Sequence, residues 1–401
     1  MQPSCARKVL RAHREVLTVK IRVSSLKLMV LMALFAAGAA AFLWLIGQDA
    51  LNEQHAFQFF ADSNTYHQMY AAGLISFDGE LIGVASNYAG PLLVLEILSG
   101  DVYLIMLLNT ALFSVSILRT SAMLSLNPLK LAALLLLSPL TISTLLSVNK
   151  EIFVFPFIAL ALAGYMRRSF TAIFLALLVS MLVRWQLTAF YVVMLAISGP
   201  IRVARRGTVL LALLMALSAL YALAQSWLAP VVAAAELSIE NYDEGGSGLF
   251  EAMLAYQKEG LYFLLFPVKA AHLLFSLGLR FDKLFNPVDV YNDFFIALHC
   301  TSTLLVFLLL LRKRRFTLNA DLIFATAVFL SIFCLSPIFA PRYLFPVFVT
   351  WVLVLAGAPQ SLSRGMHTPV HPGPRSPLKK IRRALRVRGL VAPDRQSSAA
   401  S

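Results

Sequence analysis

A succession of apolar stretches runs from Leu28 to Leu355, most of them about 15 to 21 residues long, and about 20 residues span the hydrocarbon of a bilayer. No other feature constrains the fold as much. Lipid offers the backbone no hydrogen-bond partners, so such stretches must be helices or parts of helices. The alternating pattern of a membrane barrel is absent. Hydrophobic residues make up 59% of the 401 and charged residues only 13%, where soluble domains carry about 25% charged. The expected fold class is all-α: a polytopic integral membrane protein of about ten transmembrane helices plus two short re-entrant or interfacial helices.

The net charge of +14 sits in the tails. Residues 1–27 hold seven Lys or Arg and one Glu, residues 359–401 hold nine Lys or Arg and one Asp, and the 331 between them balance to zero. Basicity placed beside a membrane points to cytoplasmic tails facing anionic lipid, and no nucleic-acid partner is expected. The expected division is a basic tail over 1–26, a transmembrane domain over 27–358 and a basic, disordered tail over 359–401. Each tail reads either as a basic amphipathic helix, with Leu10, His13, Leu17 and Ile21 or Leu378, Ile381 and Leu385 on one face, or as a solvated segment. Pro369–Pro377 reads as a linker. The run from Leu28 to Ile46 is too long for a signal-peptide core and reads as an uncleaved first helix. Cys5, Cys300 and Cys334 fall in no proposed external loop, so no disulfide framework is expected.

With the N-terminus inside, the charges place spans at about 27–47, 102–119, 128–147, 152–166, 170–183, 187–201, 208–228, 291–311, 320–338 and 343–358. Segment 49–87 is external, with Asp49, Glu53, Asp62, Asp78 and Glu80 and no Lys or Arg. Segment 229–260 is also external, with six acidic residues against Lys258, and its glycine-rich 241–248 reads as a solvated loop or an acceptor gate. Tyr88–Ser99 is too short to span. Spanning by Leu261–Leu279 would put Arg312–Arg315 outside. Both are read as re-entrant or interfacial on the outer side. No internal repeat is evident, which counts against a transporter of inverted halves.

Ionisable groups in or at the edge of the membrane are costly, and so they are functional candidates. This topology gathers them on the outer side: carboxylates in 49–87, and cations at Lys150, Arg184, Lys269, Arg280 and Arg342. Cations beneath an apolar roof suit a lipid phosphate, and a carboxylate can take the proton of an incoming hydroxyl. Each candidate also has a plainer reading. Asp62 can cap a helix starting at Ser63, Lys150 and Glu151 can cap the next helix, and Arg184 can reach the headgroups. His55 and His67 flank Asp62 but match no metal motif, and the chain has no Asp-x-Asp, glycine-rich phosphate loop, Gly-x-Ser-x-Gly or His-Glu-x-x-His.

The segment Phe60-Ala-Asp-Ser-Asn-Thr-Tyr-His-Gln-Met-Tyr70 follows the first span and puts Asp62, Tyr66, Met69 and Gly73 on one helical face. An acidic residue in the first external loop with Tyr four residues on resembles the start of GT-C membrane glycosyltransferases, which include aminoarabinose transferases and protein O-mannosyltransferases. Asn149-Lys150-Glu151 resembles the Lys-Glu turn of related exopolysaccharide proteins. Pro341-Arg342-Tyr343 resembles the Arg-Tyr-Pro entry to their last helix, and Tyr262–Pro267 with Lys269 and His272 resembles their re-entrant segment. The Trp-Trp-Asp signature of oligosaccharyltransferases is absent.

The resemblance implies sugar transfer from a polyprenyl-phosphate carrier to a cell-envelope glycan or lipid acceptor, at the outer face of a bacterial cytoplasmic membrane with both termini inside. Asp62 is then the general base. Tyr66, Lys150, Glu151, Arg184, Lys269, Arg342 and Tyr343 bind substrate. No cofactor is implied, and a divalent metal is not indicated. Two other readings stay open: a Wzy-type polymerase of lipid-linked repeat units and a non-enzymatic lipid or polysaccharide translocator.

Overall fold

Prolines and capping side chains decide where the apolar stretches become helices and where they break. The computed structural model describes residues 3–46, 61–73, 88–197, 205–224, 247–276, 294–336, 341–359 and 362, and among these it is all helical, without strands. The chain divides into two units, Met1–Gln360 and Ser361–Ser401, and every element below belongs to the first. The amphipathic segment proposed around Leu378–Leu385 lies outside the described residues.

Helix α1 (Pro3–Ile46) holds 44 residues, about 66 Å at 1.5 Å per residue. The N-terminal tail is therefore helical and continuous with the first span. Helix α2 (Ala61–Ala71) follows and packs on α3 (Ala89–Ile97). With nine residues, α3 is too short to cross a bilayer. Helix α4 (Val102–Leu124) starts where the Asp101 carboxylate accepts from the Leu104 N–H at 3.0 Å. It ends at Ser125, which takes the left-handed conformation.

The expected single span over 128–147 is two helices, α5 (Pro128–Leu135) and α6 (Pro139–Leu146), bent by 97°. Pro139 is the cause. It has no N–H to donate and its ring excludes the helical carbonyl behind it, so Ser138 is extended. Polar groups at the break are met from α13 (Ile296–Arg312): Ser302 Oγ donates to the Leu137 carbonyl at 3.1 Å, and Ser138 Oγ shares a hydrogen bond with His299 Nδ1 at 2.8 Å.

Helices α7 (Val154–Arg167) and α8 (Phe170–Val183) form a closely packed pair, with α7 also against α4. Helix α9 (Trp185–Ile197) follows α8 after one extended residue, Arg184. Helices α10 (Arg206–Leu223), α11 (Ser247–Lys258) and α12 (Tyr262–Phe275) come next, and the helical α11 occupies part of what was expected to be loop. Helices α14 (Asp321–Phe333) and α15 (Phe345–Ala356) complete the unit.

Helix α15 is apolar all round and correspondingly buried, with Phe345, Phe348, Trp351 and Val352 at its centre. Phe155 meets Phe113 and Phe345 edge-on at 4.9 and 5.6 Å between centroids, and Trp351 stacks on Phe307 at 5.4 Å. Its last carbonyls receive cations: Arg315 Nη1 reaches Val354 O at 2.9 Å and Lys130 Nζ reaches Ala356 O at 3.4 Å.

Three described helices are long and apolar enough to cross a membrane, namely Val23–Leu45 within α1, α4 and α10, or up to four if the bent pair counts as one. Six further apolar helices are of 10–17 residues. A membrane protein is thus supported, while ten spans requires the shorter helices to cross as well.

Gly90 allows α3 to lie against the end of α8. A Cβ there would stand 2.4 Å from the Leu182 carbonyl oxygen and 3.0 Å from the Phe153 ring. Gly90→Ala is expected to destabilise the fold by about 1–3 kcal/mol. Gly38→Ala, where nothing lies within 4 Å, should be neutral or mildly stabilising. Thermal unfolding of the two variants in detergent, side by side, checks this.

Candidate functional site

The site begins at a 3-10 turn, Lys150–Phe153, between α6 and α7. Asn149 is extended and its side-chain oxygen accepts from the Glu151 N–H at 3.2 Å. Asn109 on α4 fixes the approach to this turn by donating to the carbonyls of Thr144 and Ser147 at 3.1 and 2.8 Å. Lys150 and Glu151 are both buried, at 5% and 4% exposure.

Arg184 enters from the break between α8 and α9. Its Nη2 donates to Glu151 Oε1 at 2.5 Å. Its guanidinium lies over the Tyr343 ring, 3.3 Å from the centroid. It is 5% exposed, which sets aside a role at the headgroups. Tyr343 belongs to a second 3-10 turn, Pro341–Leu344, that leads into α15. Lys150 Nζ and the Arg342 guanidinium also lie near that ring, at 5.1 and 5.5 Å. Arg342 Nη1 in turn donates to Asp62 Oδ1 at 2.8 Å. Asp62 stands in the first turn of α2 as a helical residue, not as a cap ahead of Ser63.

Tyr66, one turn on, is buried with Val94, Leu95, Ile105 and Val148 and meets Tyr88 edge-on at 6.0 Å. Burial pushes its phenol well above the ordinary value, and the carboxylates of Asp62 and Glu151 push it further, so it stays protonated. Burial pulls the Lys150 ammonium down from its ordinary 10.5, and Arg184 adds to this, against the opposing pull of Tyr343, Glu151 and Asp62.

Seven of the eight predicted site residues thus meet: Asp62, Tyr66, Lys150, Glu151, Arg184, Arg342 and Tyr343. Lys269 is drawn into a different set of bonds. Fully buried on α12, it donates to Gln257 Oε1 at 2.6 Å and to the Ser336 carbonyl at 3.0 Å. It therefore ties α11 and α12 to the chain just ahead of Arg342, and it is correspondingly a poor candidate for direct contact with substrate. Asp49, Glu53, Asp78, Glu80, Arg280 and His55 lie outside the described residues. Among the described residues no three His, Cys, Asp or Glu side chains gather as a metal would need.

Three cations against two carboxylates leave one positive charge over in a largely buried cluster. Beside it opens a cleft with about 280 Å³ of empty space, its open mouth included. Glu151, Arg184, Gln186, Arg342 and Tyr343 line it, with Phe329 and Phe333 as apolar wall. Such an arrangement can hold an anion against Lys150, Arg184 and Arg342 while keeping a carboxylate within reach.

Sequence reasoning passed over two features. Gln186, beside Arg184, lines the cleft; its only sequence signal was an amide in an apolar run. Arg206 pairs with Asp321 and donates to the carbonyls of Leu318 and Asn319 at 3.1 and 2.8 Å. That pair ties the start of α10 to the start of α14, away from the cleft. Comparison with protein-family models, with curated proteins and with solved structures finds no match, so geometry alone carries the functional reading.

Proposed function

We propose that the protein is a membrane glycosyltransferase that moves a sugar from a polyprenyl-phosphate carrier to a cell-envelope acceptor on the outer side of the membrane. The observation that carries this reading is the convergence on Tyr343: Lys150, Arg184 and Arg342 around one ring, with Asp62 bonded to Arg342. A phosphate with its prenyl chain in lipid and its oxygens on these cations satisfies both the surplus charge and the apolar surroundings.

The chemistry then follows. The acceptor hydroxyl oxygen attacks the anomeric carbon. The bond from that carbon to the phosphate oxygen breaks, the hydroxyl proton passes to Asp62, and the polyprenyl phosphate leaves with its charge held by the cations. The Arg342–Asp62 bond gives this an order. The donor phosphate competes with Asp62 for Arg342, so donor binding loosens Arg342 from the carboxylate that receives the acceptor's proton.

The test is an assay of purified protein in lipid nanodiscs, supplied with polyprenyl-phosphate sugars and an envelope-lipid fraction. Transfer of one sugar per acceptor, with release of polyprenyl phosphate, is the expected result. Growth of lipid-linked repeat units would instead identify a polymerase. Carrier binding without turnover would identify a translocator.

Lys150 adds a pH signature. Its lowered pKa means that the ammonium loses its charge below the ordinary 10.5, so carrier binding should fall as pH rises through that lowered value. Arginine holds its charge far above it. In Lys150→Arg the alkaline loss of binding to polyprenyl phosphate should therefore move upward, as read from binding titrations across pH.

A further inference from the structure

Four polar atoms around the cleft are buried and lack a hydrogen-bond partner: Glu151 Oε2, Arg184 Nε and Nη1, and Gln186 Oε1. Two are acceptors and two are donors. Glu151 and Arg184 are more than nine-tenths buried and already spend one oxygen and one nitrogen on each other. Buried polar groups are nearly always paired, so a group of orphans lining one cleft marks a place where a ligand completes the bonding.

The mixture says which ligand. A phosphate at neutral pH offers acceptors only. It can serve Arg184, but it leaves Glu151 Oε2 and Gln186 Oε1 without a hydrogen. A hydrocarbon serves none of them. A sugar hydroxyl donates one hydrogen and accepts another, so two neighbouring hydroxyls can give to the two oxygens and receive from the guanidinium. At these atoms the cleft has room for a group of about water size, which a hydroxyl is and a whole ring is not.

We propose that Gln186, together with Glu151 and the unpaired edge of the Arg184 guanidinium, forms the subsite that recognises the hydroxyls of the donor's sugar, next to the carrier phosphate. This rests on the carrier reading given above. It assigns Gln186 a selective role. Gln186 follows Arg184 in the first turn of α9, so the one-residue break after α8 positions both side chains.

Calorimetric titration with decaprenyl phosphate and with its glucosyl, mannosyl and arabinosyl esters tests it. In the wild type at least one ester should bind tighter than the bare carrier by about tenfold, as one or two added buried hydrogen bonds allow. Gln186→Leu should erase that advantage and leave binding of decaprenyl phosphate itself within about twofold. Gln186→Glu keeps an acceptor oxygen and should retain the preference. The melting temperature of each variant verifies the fold. If Gln186→Leu weakens bare carrier and ester alike, or if the ester keeps its advantage, the assignment is wrong while carrier binding stands. If the wild type binds the bare carrier as tightly as every ester, the subsite is likewise refuted. If the wild type binds neither, the carrier reading fails and the subsite with it.

Discussion

Glu151→Ala is expected to cost about 3–5 kcal/mol of stability, enough to leave little folded protein, because it strands the Arg184 guanidinium. That guanidinium is 5% exposed, and Nε and Nη1 already lack partners, so Glu151 Oε1 is the acceptor that holds it. Stacking on Tyr343 cannot replace a carboxylate, since a cation–π contact contributes about 0.5–2 kcal/mol. The loss should be relieved by taking the charge away as well. The pair Glu151→Leu with Arg184→Met fills similar volume without ions and should recover stability to near wild type, yet show no transfer. Asp321→Ala is the control at the other buried pair. Arg206 would keep the carbonyls of Leu318 and Asn319 and the Phe324 ring, so about 1–3 kcal/mol is expected there. Unfolding midpoints in detergent for the four proteins decide the matter. A Glu151→Ala protein as stable as wild type would mean that Arg184 can reach water.

Much of this cluster was legible in the sequence because charges in an apolar chain are few and expensive. Asp62, Lys150, Glu151, Arg184 and Arg342 stood out as ionisable groups that the hydrophobic pattern could not explain, and four elements far apart in sequence bring them together. What sequence did not give was the choice of partner. Glu151 was expected to bind substrate beside Lys150, and its carboxylate bonds to Arg184, a pairing the sequence did not announce. Lys269 was expected among the substrate-binding residues, and it bonds to Gln257 and the Ser336 carbonyl. These choices depend on how closely helices approach, as at Gly90 against Leu182, and hydropathy carries no such information. The bend at Pro139 was missed for a related reason. An apolar run of sufficient length looks the same whether or not its midpoint turns by 97°, and the groups that make the turn tolerable, His299 and Ser302, lie on another helix.

Asp62→Asn should separate binding from chemistry most sharply. The amide oxygen can still accept from Arg342 Nη1, and the two side chains are about one-fifth exposed, so solvent screening keeps the stability change within about 1 kcal/mol. The amide cannot take a proton from the acceptor. Turnover should therefore fall by about 10²–10⁴, the range that general base catalysis contributes. Donor affinity should move the other way. Arg342 is no longer shared with a carboxylate, so polyprenyl phosphate should bind as tightly as in wild type or more so. Arg342→Gln reverses the pattern, weakening the carrier first. The decisive measurement is the pair of parameters, carrier dissociation constant and single-turnover rate, on protein shown to be folded. A folded Asp62→Asn protein that transfers sugar at the wild-type rate would place the proton acceptor elsewhere and reduce Asp62 to an anchor for Arg342. A variant that loses carrier binding and turnover together would show that the ion pair builds the phosphate site and does not compete with it.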